Sequence, residues 1–201
     1  VGSLFLELEE LDRRTGLKLH DLDSVFVTHE HGDHWFDLAH FSEARWLAAP
    51  EVAAALNKTN KLPKPVEVAT GRLFDAVDVV PTPGHTLSHH SLRFDCDGLS
   101  VVVAGDAVAT RDFWRERRGY YNCVDFDLSA RSMDKMAGMA DIVVPGHDNF
   151  FLNLTIPCEH YAHSIRTEDQ SQRDTPAVAG KELVLHNQST QTPLYERKSC
   201  S

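Results

Sequence analysis

Four apolar segments of this chain run directly into histidine or aspartate, and this feature constrains the fold more than any other. The segments read SVFVT, VDVVPTPG, SVVVAG and DIVVPG, and the residues that follow them are His29, His85, Asp106 and His147. Short valine-rich runs bounded by turn residues predict buried strands. Because open α/β sheets collect ligands at the ends of their strands, we expect the four segments to bring these side chains together.

The first segment leads into the densest group of metal-type side chains, in the stretch THEHGDHW. His29 and His31 are two residues apart, so they project to the same side of an extended chain. Asp33 and His34 follow Gly32, where the chain can turn. Imidazole and carboxylate suit Zn, Fe and Mn. This one loop can therefore offer two separate pairs of ligands.

Seven side chains are candidate metal ligands: His29, His31, Asp33, His34, His85, Asp106 and His147. A single metal ion usually takes three or four ligands from the protein, so seven exceed what one ion needs. They match a site for two ions about 3.5–4 Å apart, with one carboxylate as a bridge. If these were solvated or core histidines, all four strand ends would have to coincide by accident.

The predicted elements alternate between strands and helices, which indicates an α/β layered domain. Leucines at helical spacing predict an amphipathic helix over residues 4–14. Pro50 suits the start of a second helix, and SARSMDKMAGMA has the spacing of a third. Asp97-Gly98 between two apolar runs predicts a β-hairpin. From residue 164 the chain is polar and shows little periodicity, so we expect one domain over 1–163 and a poorly ordered tail over 164–201, with one short strand at ELVLH.

Composition and charge narrow the classes of function. The formal net charge of −10 argues against broad, nonspecific nucleic-acid binding, which depends on Lys and Arg. No apolar stretch approaches the roughly 20 residues of a membrane span, and the start of the chain lacks the pattern of a signal peptide. The four cysteines form no CxxC pair, which favours reduced thiols and a cytoplasmic location. They are Cys96, Cys123, Cys158 and Cys200.

These residues resemble the metallo-β-lactamase superfamily, whose pattern is HxHxDH followed by a later His, Asp and His. The resemblance covers about residues 20–150. It implies an αββα sandwich fold and, for most members, hydrolase activity. It also divides the seven candidate ligands into His29, His31 and His85 on a first metal, Asp33, His34 and His147 on a second, and Asp106 bridging both.

Within the superfamily, the full set of seven ligands is similar to the glyoxalase II, lactonase and nuclease branches. The strings GDAVATRDFW and ADIVVPGHDN look closest to the branch of metallo-β-lactamase domain-containing protein 1, which is linked to RNA processing in animals. Members normally begin with several strands and a DTG turn before HxHxDH. Here 28 residues precede His29 and no DTG occurs, so we expect a domain that lacks its first strands.

The predicted function is a metal-dependent hydrolase that uses a hydroxide bridging two metal ions, most simply Zn²⁺, with Fe or Mn as alternatives. Asp33 is the candidate catalytic residue, orienting the hydroxide and taking its proton. The predicted substrate is a small molecule with an ester, thioester or lactone. Two alternatives remain open: a phosphodiesterase or endoribonuclease acting on RNA, and an inactive metal-binding remnant. A homodimer is also left open, and no membrane partner is expected.

Further polar residues have two interpretations each. The first arginine of the segment TRDFWRERRGYY lies five residues after Asp106, and the arginines and aromatics of this segment fit either substrate contact or a solvated helix with core aromatics. His89 and His90 follow the GHT turn and either line a pocket or are hydrogen-bonded structural residues. Glu30 is either solvated or a partner that supports the ligands.

Overall fold

A computed structural model of the chain describes residues 11–154. Within this range the strands form two sheets. The first is parallel and contains β1 (Ser24–Val27), β2 (Arg45–Ala48) and β3 (Glu67–Val68), in that order. The second has six strands, also in chain order: β4 (Arg72–Leu73), β5 (Val77–Pro81), β6 (His90–Cys96), β7 (Leu99–Gly105), β8 (Ile142–Pro145) and β9 (Phe151–Leu152). Its strands are antiparallel except for the β7–β8 pair.

The helices begin where local chemistry favours a helix start. Helix α1 (Pro50–Lys58) has proline at its first position, where the missing N–H costs nothing. Helix α2 (Arg111–Glu116) follows the Asp106 turn. Helix α3 (Phe126–Ala137) is capped by Asp125, whose carboxylate accepts a hydrogen bond of 2.9 Å from Leu128 N. The starts of α1 and α3 therefore follow from the residues at their first turns.

The predicted hairpin is confirmed as β6 and β7, joined by the two residues Asp97-Gly98. Asp97 has φ +51° and Gly98 has φ +77°, so both take the left-handed conformation that tight hairpins require. Strand β2 is not predicted by the sequence pattern, because Arg45–Ala48 runs without a turn residue into helix α1.

Each sheet is covered by a helix, and an apolar core fills each helix–sheet interface. Against the first sheet, Val52 and Leu56 of α1 pack with Val27 and Trp46. Against the second, α3 contributes Met133 and Met136, which pack with side chains of β7, β8 and α2, including Val102, Val143 and Trp114. The predicted αββα sandwich is thus confirmed.

Several predictions fall partly or wholly outside the described residues. Of the predicted helix over 4–14, residues 11–15 are helical and the rest is not described. The boundary at residue 163, the tail and its short strand lie outside the range. Cys96 and Cys123 are free thiols. None of the helices described is both long and apolar enough to span a membrane.

Removing the Met133 side chain should destabilise the second core strongly. Met133 is fully buried, so Met133→Ala leaves a cavity and is expected to lower the free energy of unfolding by about 2–5 kcal/mol. Arg131→Ala is the matched control: it lies on the exposed side of the same helix and should change stability by less than about 0.5 kcal/mol. Urea unfolding measures both, and equal stabilities would contradict the packing described for α3.

Candidate metal centre

The ends of four strands converge on one place, as the sequence predicts. His29 follows β1 by two residues, and the next turn, Gly32–His34, carries Asp33. His85 lies in the loop between β5 and β6. Asp106 begins a short turn at the end of β7, and His147 follows β8. The backbone N–H groups of Gly146 and His147 donate to Val108 O and Ala109 O (3.0 and 2.9 Å), which fixes the end of β8 against the Asp106 turn.

Three imidazoles form one half of the centre. His31 Nδ1 lies 3.1 Å from His29 Nε2 and 2.9 Å from His85 Nε2. A neutral imidazole nitrogen is either a donor or an acceptor, so one His31 proton cannot serve both neighbours. Three ring nitrogens directed at one point are instead suited to a cation.

The other half combines a carboxylate with two imidazoles. Asp33 Oδ2 lies 3.7 Å from His34 Nε2, and the ligand atoms of Asp33, His34 and His147 all lie within 4.8 Å of one another. His34 is half-buried, whereas Asp33 and His147 are exposed. This half therefore faces solvent, where a substrate can reach it.

Asp106 lies between the two halves. Its Oδ2 is 3.3 Å from His85 Nε2, 3.4 Å from His34 Nε2 and 3.9 Å from His29 Nε2. Its Oδ1 is 3.2 Å from His147 Nε2. A single carboxylate thus reaches ring nitrogens of both halves. All seven predicted ligands are brought together, and the arrangement offers donor atoms to two ions.

Three atoms of the candidate ligands lack the hydrogen bonds that burial normally demands. His34 Nε2, His85 Nδ1 and Asp106 Oδ1 are buried and make no hydrogen bond within the part of the chain described. A buried polar atom without a partner costs free energy, and a bound cation is one way to satisfy it. The donor set, imidazole with carboxylate, is also the set that binds Zn²⁺ and similar ions. The residues present therefore fit a metal site.

Burial sets the protonation state of two of the candidate histidine ligands. Burial, helped by the nearby His89 and His34, lowers the pKa of His29 to about 2, and burial also lowers the pKa of His85. Both are neutral at pH 7, which is the form that binds metal. Burial alone would raise the pKa of Asp106, but the surrounding histidines, His34 foremost, outweigh it and lower that pKa. The central carboxylate is therefore ionised.

Glu30 links the first ligand loop to the His85 loop. Its Oε2 accepts hydrogen bonds from Ser88 Oγ (2.6 Å) and Thr86 Oγ1 (3.3 Å), which both follow His85 in sequence. Its backbone oxygen accepts a bond of 2.9 Å from Trp35 Nε1. Of its two interpretations, support of the ligands is therefore the one that the contacts favour.

A cavity of about 420 Å³ opens beside the centre. Four of the candidate ligands line it, together with the neutral residues Ala109, Thr110, Tyr120 and Asn122. Tyr120 and Asn122 were not candidates for metal binding, and sequence spacing alone does not bring them here. They come from a segment that hydrogen-bonds to the His85 loop, through Val124 N to His85 O (3.2 Å) and Asp125 N to Gly84 O (3.0 Å).

The arginines of the aromatic segment do not line this cavity. Arg111, Arg115 and Arg117 line a separate cavity of about 670 Å³, beside Trp114. Arg118 lies over the ring of Tyr121, 5.5 Å from its centroid. Of the predicted substrate contacts in this segment, only Tyr120 lines the cavity beside the candidate metal ligands.

The comparison with known families agrees with the geometry. The family model described as the metallo-beta-lactamase superfamily matches residues 2–147, which is most of the chain. This chain belongs to the metallo-β-lactamase superfamily. The predicted superfamily is thus confirmed.

Individual relatives of this superfamily are hydrolases. A hydroxyacylglutathione hydrolase of Rhodopseudomonas palustris (strain BisA53) is 32% identical over 105 residues, which are 50% of this chain and 39% of the relative. The solved structure of B. thuringiensis AiiA with N-decanoyl-L-homoserine at its active site has a TM-score of 0.56 at 23% identity, covering 68% of this chain and 60% of AiiA. AidC, a dizinc quorum-quenching lactonase in complex with its product, has a TM-score of 0.57 at 15% identity, covering 72% and 64%. The chain thus spans between two-fifths and two-thirds of these proteins.

Adding a methyl group at Gly146 should damage the centre without disturbing the fold elsewhere. A Cβ at this position overlaps Asp106 Oδ1, so Gly146→Ala is expected to displace the carboxylate and weaken Zn²⁺ binding by about 10–100-fold. Gly138→Ala is the control, because the nearest atom to its Cβ is 3.6 Å away. Zinc titration against a chromophoric chelator measures both variants. Equal affinities in the two would contradict the position of Asp106.

Proposed function

We propose that this chain is part of a hydrolase that binds two Zn²⁺ ions and cleaves an ester, thioester or lactone of a small molecule. The observation that carries the proposal is the neutral wall of the cavity beside the seven clustered side chains. Besides the four candidate ligands, the described residues that line this cavity contribute the hydroxyls of Thr110 and Tyr120, the amide of Asn122 and the methyl group of Ala109. A neutral polar wall suits an acyl carbonyl better than a phosphodiester, which needs cations.

Each half of the centre has a proposed occupant. His29, His31 and His85 would hold one ion, Asp33, His34 and His147 would hold the other, and Asp106 would contact both. Divalent ions held in this way polarise a carbonyl group and lower the pKa of water towards about 7. Zn²⁺ suits the nitrogen and oxygen donors, and Fe or Mn are alternatives with the same donors.

The chain's own residues position the reactants. Asp33 is exposed at the cavity, so its carboxylate can accept a hydrogen bond from a water molecule, orient it towards the substrate and take its proton. Tyr120 Oη and the Asn122 amide have no hydrogen-bond partner among the described residues, so both are free to donate to a substrate oxygen. Their place beside the centre suits them to hold the acyl group.

The relatives support the choice of substrate class. One is named for hydrolysis of a hydroxyacylglutathione, which is a thioester. Another is an N-acyl homoserine lactone hydrolase with its product bound at the catalytic metal centre. A thioester and a lactone both have a carbonyl next to a sulfur or oxygen leaving group. The competing proposal, cleavage of RNA as in the branch of metallo-β-lactamase domain-containing protein 1, finds less support, because the arginines line a different cavity. The free and exposed Cys96 fits the proposed cytoplasmic location.

Metal content and turnover together test the proposal. We expect about two equivalents of zinc per chain, and Asp106→Ala should lose both the metal and the turnover of an acyl thioester or lactone. Asp37→Ala is the control, since Asp37 is exposed and outside the centre. Faster cleavage of bis-p-nitrophenyl phosphate than of any acyl substrate would favour the RNA proposal. A folded chain that loads two ions but turns over neither class would favour the inactive remnant.

Removing the Tyr120 hydroxyl tests its role in holding the acyl group. Tyr120→Phe is expected to lower kcat/KM for the best acyl substrate by about tenfold, the value of one hydrogen bond to the substrate. Tyr121→Phe is the matched control, because Tyr121 is 70% exposed and does not line the cavity. Zinc content should stay the same in both. An equal kcat/KM in the two variants would assign the substrate oxygen to another donor.

A further inference from the structure

We propose that His89 is a positioning residue that holds the Asp106 turn in place through the backbone of Ala107. The inference rests on the proposed metal centre, because the turn matters only if Asp106 binds metal. His89 is not one of the seven candidate ligands, and it does not line the cavity beside them. It is completely buried, with its ring centroid 5.1 Å from that of His29 and 6.3 Å from that of His85. It therefore lies behind the ligands.

One ring nitrogen of His89 contacts the residue next to Asp106. Ala107 N donates a hydrogen bond of 3.3 Å to His89 Nε2. The short turn that starts at Asp106 has few internal partners for its first N–H groups, so this bond satisfies one of them. On the other side of Asp106, a Cβ at Gly105 would lie 3.2 Å from the same Nε2. The imidazole thus packs against both neighbours of the central carboxylate.

The hydrogen bonds determine which nitrogen carries the proton. Because Nε2 accepts from Ala107 N, the neutral ring carries its hydrogen on Nδ1, which lies 2.9 Å from Thr82 Oγ1. Thr82 Oγ1 is 2.7 Å from Ser91 Oγ, which in turn donates to Ala104 O at 3.2 Å. Each donor finds an acceptor, in the direction His89, Thr82, Ser91, Ala104.

This chain of bonds starts and ends on the same short stretch of backbone. Ala107 and Ala104 lie on either side of Gly105 and Asp106. Thr82 and Ser91 are fully buried, so a broken bond anywhere along the chain would leave a buried polar group without a partner. The network therefore clamps the end of β7 from both sides, and His89 is the member that contacts the Asp106 turn.

Two amide substitutions separate this role from simple packing. A glutamine side chain places its oxygen near the position of Nε2, and an asparagine side chain places its nitrogen near the position of Nδ1. His89→Gln can thus still accept from Ala107 N, whereas His89→Asn can bond only to Thr82. If His89 merely fills space, both substitutions should behave alike.

The experiment compares metal binding by the two variants. Zn²⁺ affinity is measured by competition with a chromophoric chelator, Co²⁺ absorption bands report the coordination geometry, and thermal unfolding of the metal-free proteins checks the fold. We expect His89→Gln to bind within about threefold of the unsubstituted chain and His89→Asn to bind about 10–100-fold more weakly, with altered Co²⁺ bands. His40→Gln, at an exposed position outside the centre, is the control.

A second pair of variants keeps the inference testable if His89→Asn does not fold. Thr82→Ser retains the hydroxyl that accepts from Nδ1, and Thr82→Val removes it while preserving the shape of the side chain. We expect the valine variant to weaken Zn²⁺ binding about tenfold and the serine variant to leave it unchanged. Equal Zn²⁺ affinity within each pair would overturn the role of His89 but leave the metal centre standing. No Zn²⁺ binding by the unsubstituted chain would overturn both.

Discussion

The structure depends on one buried carboxylate held among four imidazoles. Asp106 lies within 3.9 Å of ring nitrogens from His29, His34, His85 and His147. Placing a charge in such a position is costly unless cationic or donor groups surround it. The four imidazoles surround the carboxylate. In addition, Gly146 leaves room for it, and His89 holds the backbone of the neighbouring Ala107. The seven-residue centre can form only if this turn is correct.

The two sheets share the task of building the centre. His29 follows a strand of the parallel sheet, while Asp106 and His147 follow neighbouring strands of the six-stranded sheet. The sheets meet near this point, where His90 N donates to Thr28 O at 3.0 Å. Glu30 adds a second link, through the hydroxyls of Ser88 and Thr86. Both halves of the sandwich thus position the centre.

The side chains that line the cavity favour the proposed acyl substrate over a phosphodiester. Arginines lie close to the centre in sequence, but their side chains line a separate cavity or lie over neighbouring rings. Tyr120 and Asn122 take their place, because the segment that carries them hydrogen-bonds to the backbone of the His85 loop. On the proposed function, selectivity for an acyl group over a phosphate would depend on backbone hydrogen bonds between two segments distant in sequence rather than on net charge.

Sequence alone was sufficient for the family, the sandwich and the seven clustered side chains, because strand patterning is local and ligands collect at strand ends. The Asp97-Gly98 hairpin followed from turn chemistry in the same way. Strand β2 could not be predicted from the sequence, since Arg45–Ala48 becomes a strand only by pairing with β1 and β3. The choice of Tyr120 over the arginines and the contact of His89 with Ala107 were decided by tertiary structure. Both depend on contacts between segments distant in sequence, which no local pattern encodes.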